Sequence, residues 1–143
     1  MAQTYSTELA GITSLPVVKA SALQAYGARL KRFRASIVLA SQAIGDTVVV
    51  GLIPAGYVFA GCEVSTDTSL GTATIALGTA ALANKYANAS TLTALNAQAL
   101  IGNVAQLMAG PLTAQETVLL TVAVAALPAA GNLLVDLYFS SPN

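Results

Sequence analysis

The feature that most constrains this chain is alternation. From Arg29 onward, apolar and polar residues trade places at every second position, and turns bearing glycine or proline break the runs. A period of two is the repeat of a β-strand, whose successive side chains point to opposite faces. In Arg29–Ala40, Phe33, Ala35, Ile37 and Leu39 fall on one face, and Arg32, Arg34 and Ser36 on the other. Ile44-Gly45-Asp46 turns the chain into a short strand, Thr47–Gly51, and Pro54-Ala55-Gly56 suits a β-turn with proline fixing φ at its second position. Tyr57–Asp67 follows. There Val58, Ala60, Cys62, Val64 and Thr66 are expected inside, and Tyr57, Phe59, Glu63 and Asp67 outside. After a turn at Ser69-Leu70-Gly71, Thr72–Gly78 sets Ala73, Ile75 and Leu77 on one face.

The last two strands are the clearest. Val118, Leu120, Val122 and Val124 alternate with Thr117, Leu119, Thr121 and Ala123, and Leu133, Val135, Leu137 and Phe139 alternate with Leu134, Asp136, Tyr138 and Ser140. The intervening Leu127-Pro128-Ala129-Ala130-Gly131 predicts an antiparallel hairpin with a longer loop. Ala87–Leu95 and Val104–Met108 are weaker segments. Alanine in Leu92–Met108 leaves one helix within Asn84–Met108 open. Roughly seven or eight strands at a spacing of about ten residues are sandwich or jelly-roll arithmetic. The chain thus reads as all-β, a jelly-roll-like antiparallel β-sandwich over residues 29–143. Residues 1–28 show no clear period and read as an extended N-terminal arm.

A length of 143 residues supports one domain with a real core. Hydrophobic residues make up 55% and charged residues 8%, which excludes a disordered polyelectrolyte. Six basic residues balance six acidic ones, so no whole-protein basic field awaits nucleic acid. A neutral, charge-poor surface gives little colloidal repulsion and suits a chain packed against other subunits. The start, Met-Ala-Gln-Thr-Tyr-Ser-Thr-Glu, has no basic and apolar regions of a secretory signal. Thr117–Val135 is uncharged, but Pro128, Gly131 and Asn132 interrupt it, so two strands and a bend are expected there and no membrane partner.

The chemistry-bearing residues are few. Histidine and tryptophan are absent and there is one cysteine, so no disulfide framework, standard zinc site or histidine base can be built. Cys62, on an inward position without a histidine partner, reads as a small buried hydrophobe. Glu63 and Asp67 share a strand face at roughly 13 Å, beyond the spacing of glycosidase carboxylates. Glu8, Glu116 and Asp136 read as solvated outward acids, and Asp46 as a turn residue. No calcium loop and no phosphate-binding glycine motif occurs. No catalytic residue, cofactor, metal or small-molecule substrate is expected, and the chain is not read as an enzyme.

Charge is distributed unevenly. Residues 1–45 carry Lys19, Arg29, Lys31, Arg32 and Arg34 against Glu8, a balance of +4, and residues 46–143 carry Lys85 against Asp46, Glu63, Asp67, Glu116 and Asp136, a balance of −4. The five basic residues read either as plain solvated charges or as a patch docking an acidic partner surface. A nucleic-acid groove would need stacking aromatics among them. Only Phe33 is interleaved, on the core face.

The stretch Arg32–Thr79 is a basic strand followed by SQAIGDTVVVGLIPAGYVFAGCEVSTDTSLGTATIALGTA, and the chain closes with ETVLLTV…GNLLVDLYF. This pattern resembles small structural proteins of tailed bacteriophages, from residue 29 to the end, with a tyrosine-containing leader at Tyr5. The resemblance implies a non-enzymatic virion protein of the capsid decoration (cement) type. Made in the host cytoplasm, such a protein sits on the phage head surface, bound to major capsid protein and commonly to itself as a homotrimer. On that reading Lys19, Arg29, Lys31, Arg32 and Arg34 dock the shell, and Tyr57, Phe59, Leu119, Leu134 and Tyr138 form the oligomer surface. The alternative is a tail- or fibre-associated β-sandwich module that binds a host receptor or carbohydrate, with Tyr57 and Tyr138 stacking on sugars.

Overall fold

A computed structural model describes residues 29–141. The predicted arm, residues 1–28, and with it Lys19 and Tyr5, lies outside the described residues. Eight strands occur: β1 (Arg29–Val38), β2 (Thr47–Ile53), β3 (Val58–Thr66), β4 (Thr74–Gly78), β5 (Ala87–Ser90), β6 (Gln98–Ile101), β7 (Glu116–Ala123) and β8 (Asn132–Ser141). A single helical turn, α1 (Val104–Leu107), follows β6. Sheet A has the order β1-β8-β3-β6 and sheet B the order β2-β7-β4-β5, and every pairing is antiparallel.

The pairs β1–β8, β2–β7, β3–β6 and β4–β5 are nested, as in one long ribbon doubled back on itself. The further pairs β3–β8 and β4–β7 roll that ribbon into two layers. This is the jelly roll that the alternation predicts. Between the layers, Leu133, Val135, Leu137 and Phe139 of β8 meet Val118, Leu120 and Val122 of β7, with Ile75, Leu77, Cys62 and Val64 beside them, all at most 1% exposed. Each such side chain contributes about 1.5 to 3 kcal/mol by leaving water. Among the described residues no helix is long and apolar enough to cross a membrane.

Four local expectations are corrected. β7 and β8 do not pair as a hairpin; they belong to different sheets. Residues 124–131 carry the chain from one layer to the other, with Val124 at φ 70° and Leu127 buried over the end of the sandwich, its N–H donating to the carbonyl of Gln42. Second, β3 is not one uninterrupted alternation. A bulge between Phe59 and Gly61, with Gly61 at φ 140°, inserts Ala60 as an unpaired extra residue. Upstream of it the phase reverses, so Phe59 joins Phe139 on the inner face at 4% exposure while Ala60 is exposed. Third, the weak segment Val104–Met108 is not a strand: Gln98–Ile101 is β6, and Val104–Leu107 forms the one helix left open within Asn84–Met108, its turn capped by the Asn103 side chain, which accepts from the N–H of Ala105. Fourth, Asp136 is buried rather than solvated, at 5% exposure.

Five aromatic rings close one end of the core. Phe139 lies 6.0 Å from Phe33, 5.4 Å from Phe59 and 5.7 Å from Tyr86, centroid to centroid, and Tyr57 lies 6.2 Å from Phe33. Their edge-to-face geometries suit the ring quadrupoles.

Candidate functional site

Among the described residues no group of histidine, cysteine or acidic side chains could hold a metal ion. Cys62 is 1% exposed, its thiol faces the carbonyl of Ile101, and burial pushes its pKa up to about 12. A thiol so placed stays protonated and is a poor nucleophile. The inner chemistry is structural. Among the described residues, the fold offers other molecules two outer sheet faces and a groove.

The outer face of sheet A is charged. Register sets Arg34, Asp136 and Glu63 in one row across β1, β8 and β3, and Arg32 beside Tyr138 in the next. Arg34 donates from Nε and Nη2 to both oxygens of Asp136, at 2.8 and 2.6 Å. Those hydrogen bonds hold the Asp136 carboxyl below its usual range despite the opposing effect of burial. Tyr138 leans toward Glu63, its hydroxyl 3.4 Å from Oε2. The expected basic patch is therefore divided. Arg34 is neutralised within the sheet, Arg32 stands on the outer face, and Arg29 and Lys31 are exposed near the start of β1, with the Lys31 ammonium 5.7 Å from the centroid of the Tyr57 ring.

The outer face of sheet B carries no charge. Thr47, Val49 and Leu52 of β2 stand opposite Thr121, Leu119 and Thr117 of β7, and Ala76 of β4 pairs with Thr121 from the other side. Val49 and Leu52 are 60% and 57% exposed. The acid that starts β7, Glu116, has the inward parity of Val118 and is engaged by Lys85 at 2.5 Å and Tyr86 at 2.6 Å.

The residues expected to form one oligomer surface are dispersed. Leu119 lies half-buried on sheet B's outer face, Leu134 and Tyr138 lie half-buried on sheet A's, Tyr57 packs against the core, and Phe59 is inside it. Sequence reasoning missed the charge-free face of sheet B, although the absence of charge from Thr47–Ile53 and Thr117–Ala123 was its signal. It also missed Glu116, whose place in phase with Val118, Leu120 and Val122 marks a carboxylate that needs a partner.

A groove of about 340 Å³ opens where β3, β6 and β8 meet their loops, lined by Ser65, Thr66, Asp67, Asn96, Gln98, Asn132 and Leu134. Asp67 Oδ1 accepts from the backbone N–H of Asn132 at 2.7 Å, and Oδ2 accepts from Asn132 Nδ2 at 2.7 Å. The backbone bond first and the side-chain bond second hold its carboxyl below the ordinary range. Gly131, at φ 123°, lets the chain pass so close that a Cβ there would overlap Thr68 and Asp67. Asn96 sits at φ 53°, a left-handed conformation that asparagine tolerates. The sequence analysis names Thr66, Asp67, Asn132 and Leu134 only as strand and turn residues, and does not bring them together with Ser65, Asn96 and Gln98 as a groove.

No protein-family model matches the chain, and no curated protein matches it. Solved structures do share the fold. A chain in the cyanophage Pam1 capsid asymmetric unit superposes with a TM-score of 0.69 at 22% identity, over 91% of this chain and 97% of that one. A chain in the capsid of Ralstonia phage GP4 superposes with a TM-score of 0.64 at 16% identity, over 80% of this chain and 86% of that one. At these identities the likeness is one of architecture, and the class it defines is the eight-stranded jelly roll.

Proposed function

We propose that this chain is a non-enzymatic structural protein of a phage particle, of the decoration type. It lies on the surface of the head, bound to major capsid protein and to copies of itself, as a homotrimer. The observation that carries the reading is the match of nearly the whole jelly roll to a chain of a phage capsid structure. The charge-free outer face of sheet B supports it. Burying such a face against another subunit strands no ion, whereas burying the face of sheet A would desolvate Arg32, Arg34 and Glu63. Leu119 stands near the middle of that face, and Arg29, Lys31 and Arg32, with Lys19 from the arm, supply charge that orients the docked protein. Each contact is small, and repetition over a lattice multiplies it.

The test mixes purified protein with expanded capsid shells of its own phage and sediments them. Wild-type protein is expected to co-sediment, and Leu119→Lys, which adds a cation at the surface without touching the core, is expected to stay in the supernatant. Failure of the wild type to bind overturns the capsid reading. Equal binding and equal oligomeric state of the variant remove sheet B from it.

A further inference from the structure

We infer that the groove between β3, β6 and β8 is a binding site for neutral saccharides. The inference stands apart from the particle assignment and uses a different part of the surface. Its polar groups divide into two kinds. Asp67 and Asn132 are locked to each other and to the backbone, which fixes one ionised acceptor at the rim of the groove. The Ser65 hydroxyl and the amides of Asn96 and Gln98 are the other kind: among the described residues they make no side-chain hydrogen bond. An amide presents both donors and an acceptor, and a hydroxyl does likewise, which is the complement that a row of sugar hydroxyls requires. Leu134 supplies an apolar wall for the C–H face of a pyranose ring. A volume of about 340 Å³ falls within the range of small-ligand sites.

The same lining argues against other ligands. No lysine or arginine lines the groove and Asp67 is ionised there, so phosphates, sulfates and acidic sugars meet net repulsion. A calcium ion wants six to eight oxygen ligands, whereas this groove has one carboxylate whose two oxygens already accept from Asn132. No aromatic ring lines it, which removes the platform a nucleobase would stack on.

The experiment screens the full-length protein on a printed array of neutral, sialylated and sulfated glycans. The best neutral glycan is then titrated by ¹⁵N–¹H correlation spectroscopy. Neutral glycans are expected to bind, with shifts centred on Asn96, Gln98 and Asn132. The double variant Asn96→Gly, Gln98→Ala is expected to weaken binding at least tenfold, with an otherwise unchanged spectrum because glycine keeps the loop's positive φ. Arg32→Ala, outside the groove, leaves affinity unchanged. Retention of acidic glycans alone, retention of none, or undiminished binding by the double variant overturns the inference. Capsid co-sedimentation of that variant is unaffected either way, so failure here is distinct from failure of the particle assignment.

Discussion

The hydroxyl of Tyr86 donates to Oε2 of Glu116 across a 2.6 Å hydrogen bond that ties the β4–β5 loop to the first residue of β7, 30 positions away. Tyr86 is wholly buried, and its ring packs 4.9 Å from Phe59, centroid to centroid. Burial first, and the neighbouring carboxylate second, push the phenol pKa up, so the hydroxyl keeps its proton and remains a donor. Removing it leaves Glu116 held by Lys85 alone. Tyr86→Phe is expected to cost about 1.5 to 3 kcal/mol, the worth of a hydrogen bond to a charged group, read as a lower urea midpoint at unchanged slope.

Acid should weaken the fold through two carboxylates in particular. Burial would raise the Glu116 carboxyl, but hydrogen bonds from Lys85 and Tyr86 outweigh it and hold the pKa below 4.5; the Arg34 bonds hold that of Asp136 below 3.8. A folded pKa below the unfolded one means stability that is fully present above the unfolded value and lost as pH falls through the folded one. Urea midpoints should therefore be level above about pH 5 and drop below about pH 4. Asp136→Asn should flatten that acid limb, and an unchanged limb would remove Asp136 from the account.

Gly61 carries the bulge that turns Phe59 inward, and its φ of 140° belongs to a region that other residues reach only under strain. Nothing lies within 4 Å of a Cβ built there, so Gly61→Ala isolates backbone strain from crowding. The variant should lose about 1 to 3 kcal/mol in equilibrium unfolding while keeping its circular dichroism spectrum.

Cys62 should be silent to alkylation. With the thiol pKa pushed to about 12 and the side chain in the core, iodoacetamide at pH 8 should label the native protein only through unfolding, and label it fully in urea. Because the folded pKa is raised, the contribution of the neutral thiol is complete below about pH 9 and declines as pH climbs toward 12. Rapid labelling of native protein would contradict the burial.

The layers were legible because alternation reports which side chains share a face: Ala73, Ile75 and Leu77, read onto one face, are each fully buried. What alternation cannot report is pairing. The loop of residues 124–131 suits a hairpin as well as a crossing between layers, and only the pairing of β7 and β8 with other strands tells the two apart. One inserted residue in β3 likewise turns Phe59 inward and Ala60 outward while Val58 stays buried, and glycine at position 61 was the sole local sign. The groove was invisible for a related reason. Its lining gathers Ser65, Asn96 and Asn132 from three strand ends and loops that no spacing along the chain connects.

The nested order of the strands has a consequence for synthesis. β8 occupies an interior place in sheet A, between β1 and β3, and Arg29 finds its partner only in Ser141. A ribosome must therefore deliver residue 141 before β1 has any partner strand and before β3, paired until then with β6 alone, has its second one. Nascent chains stalled short of β8 should be chaperone clients.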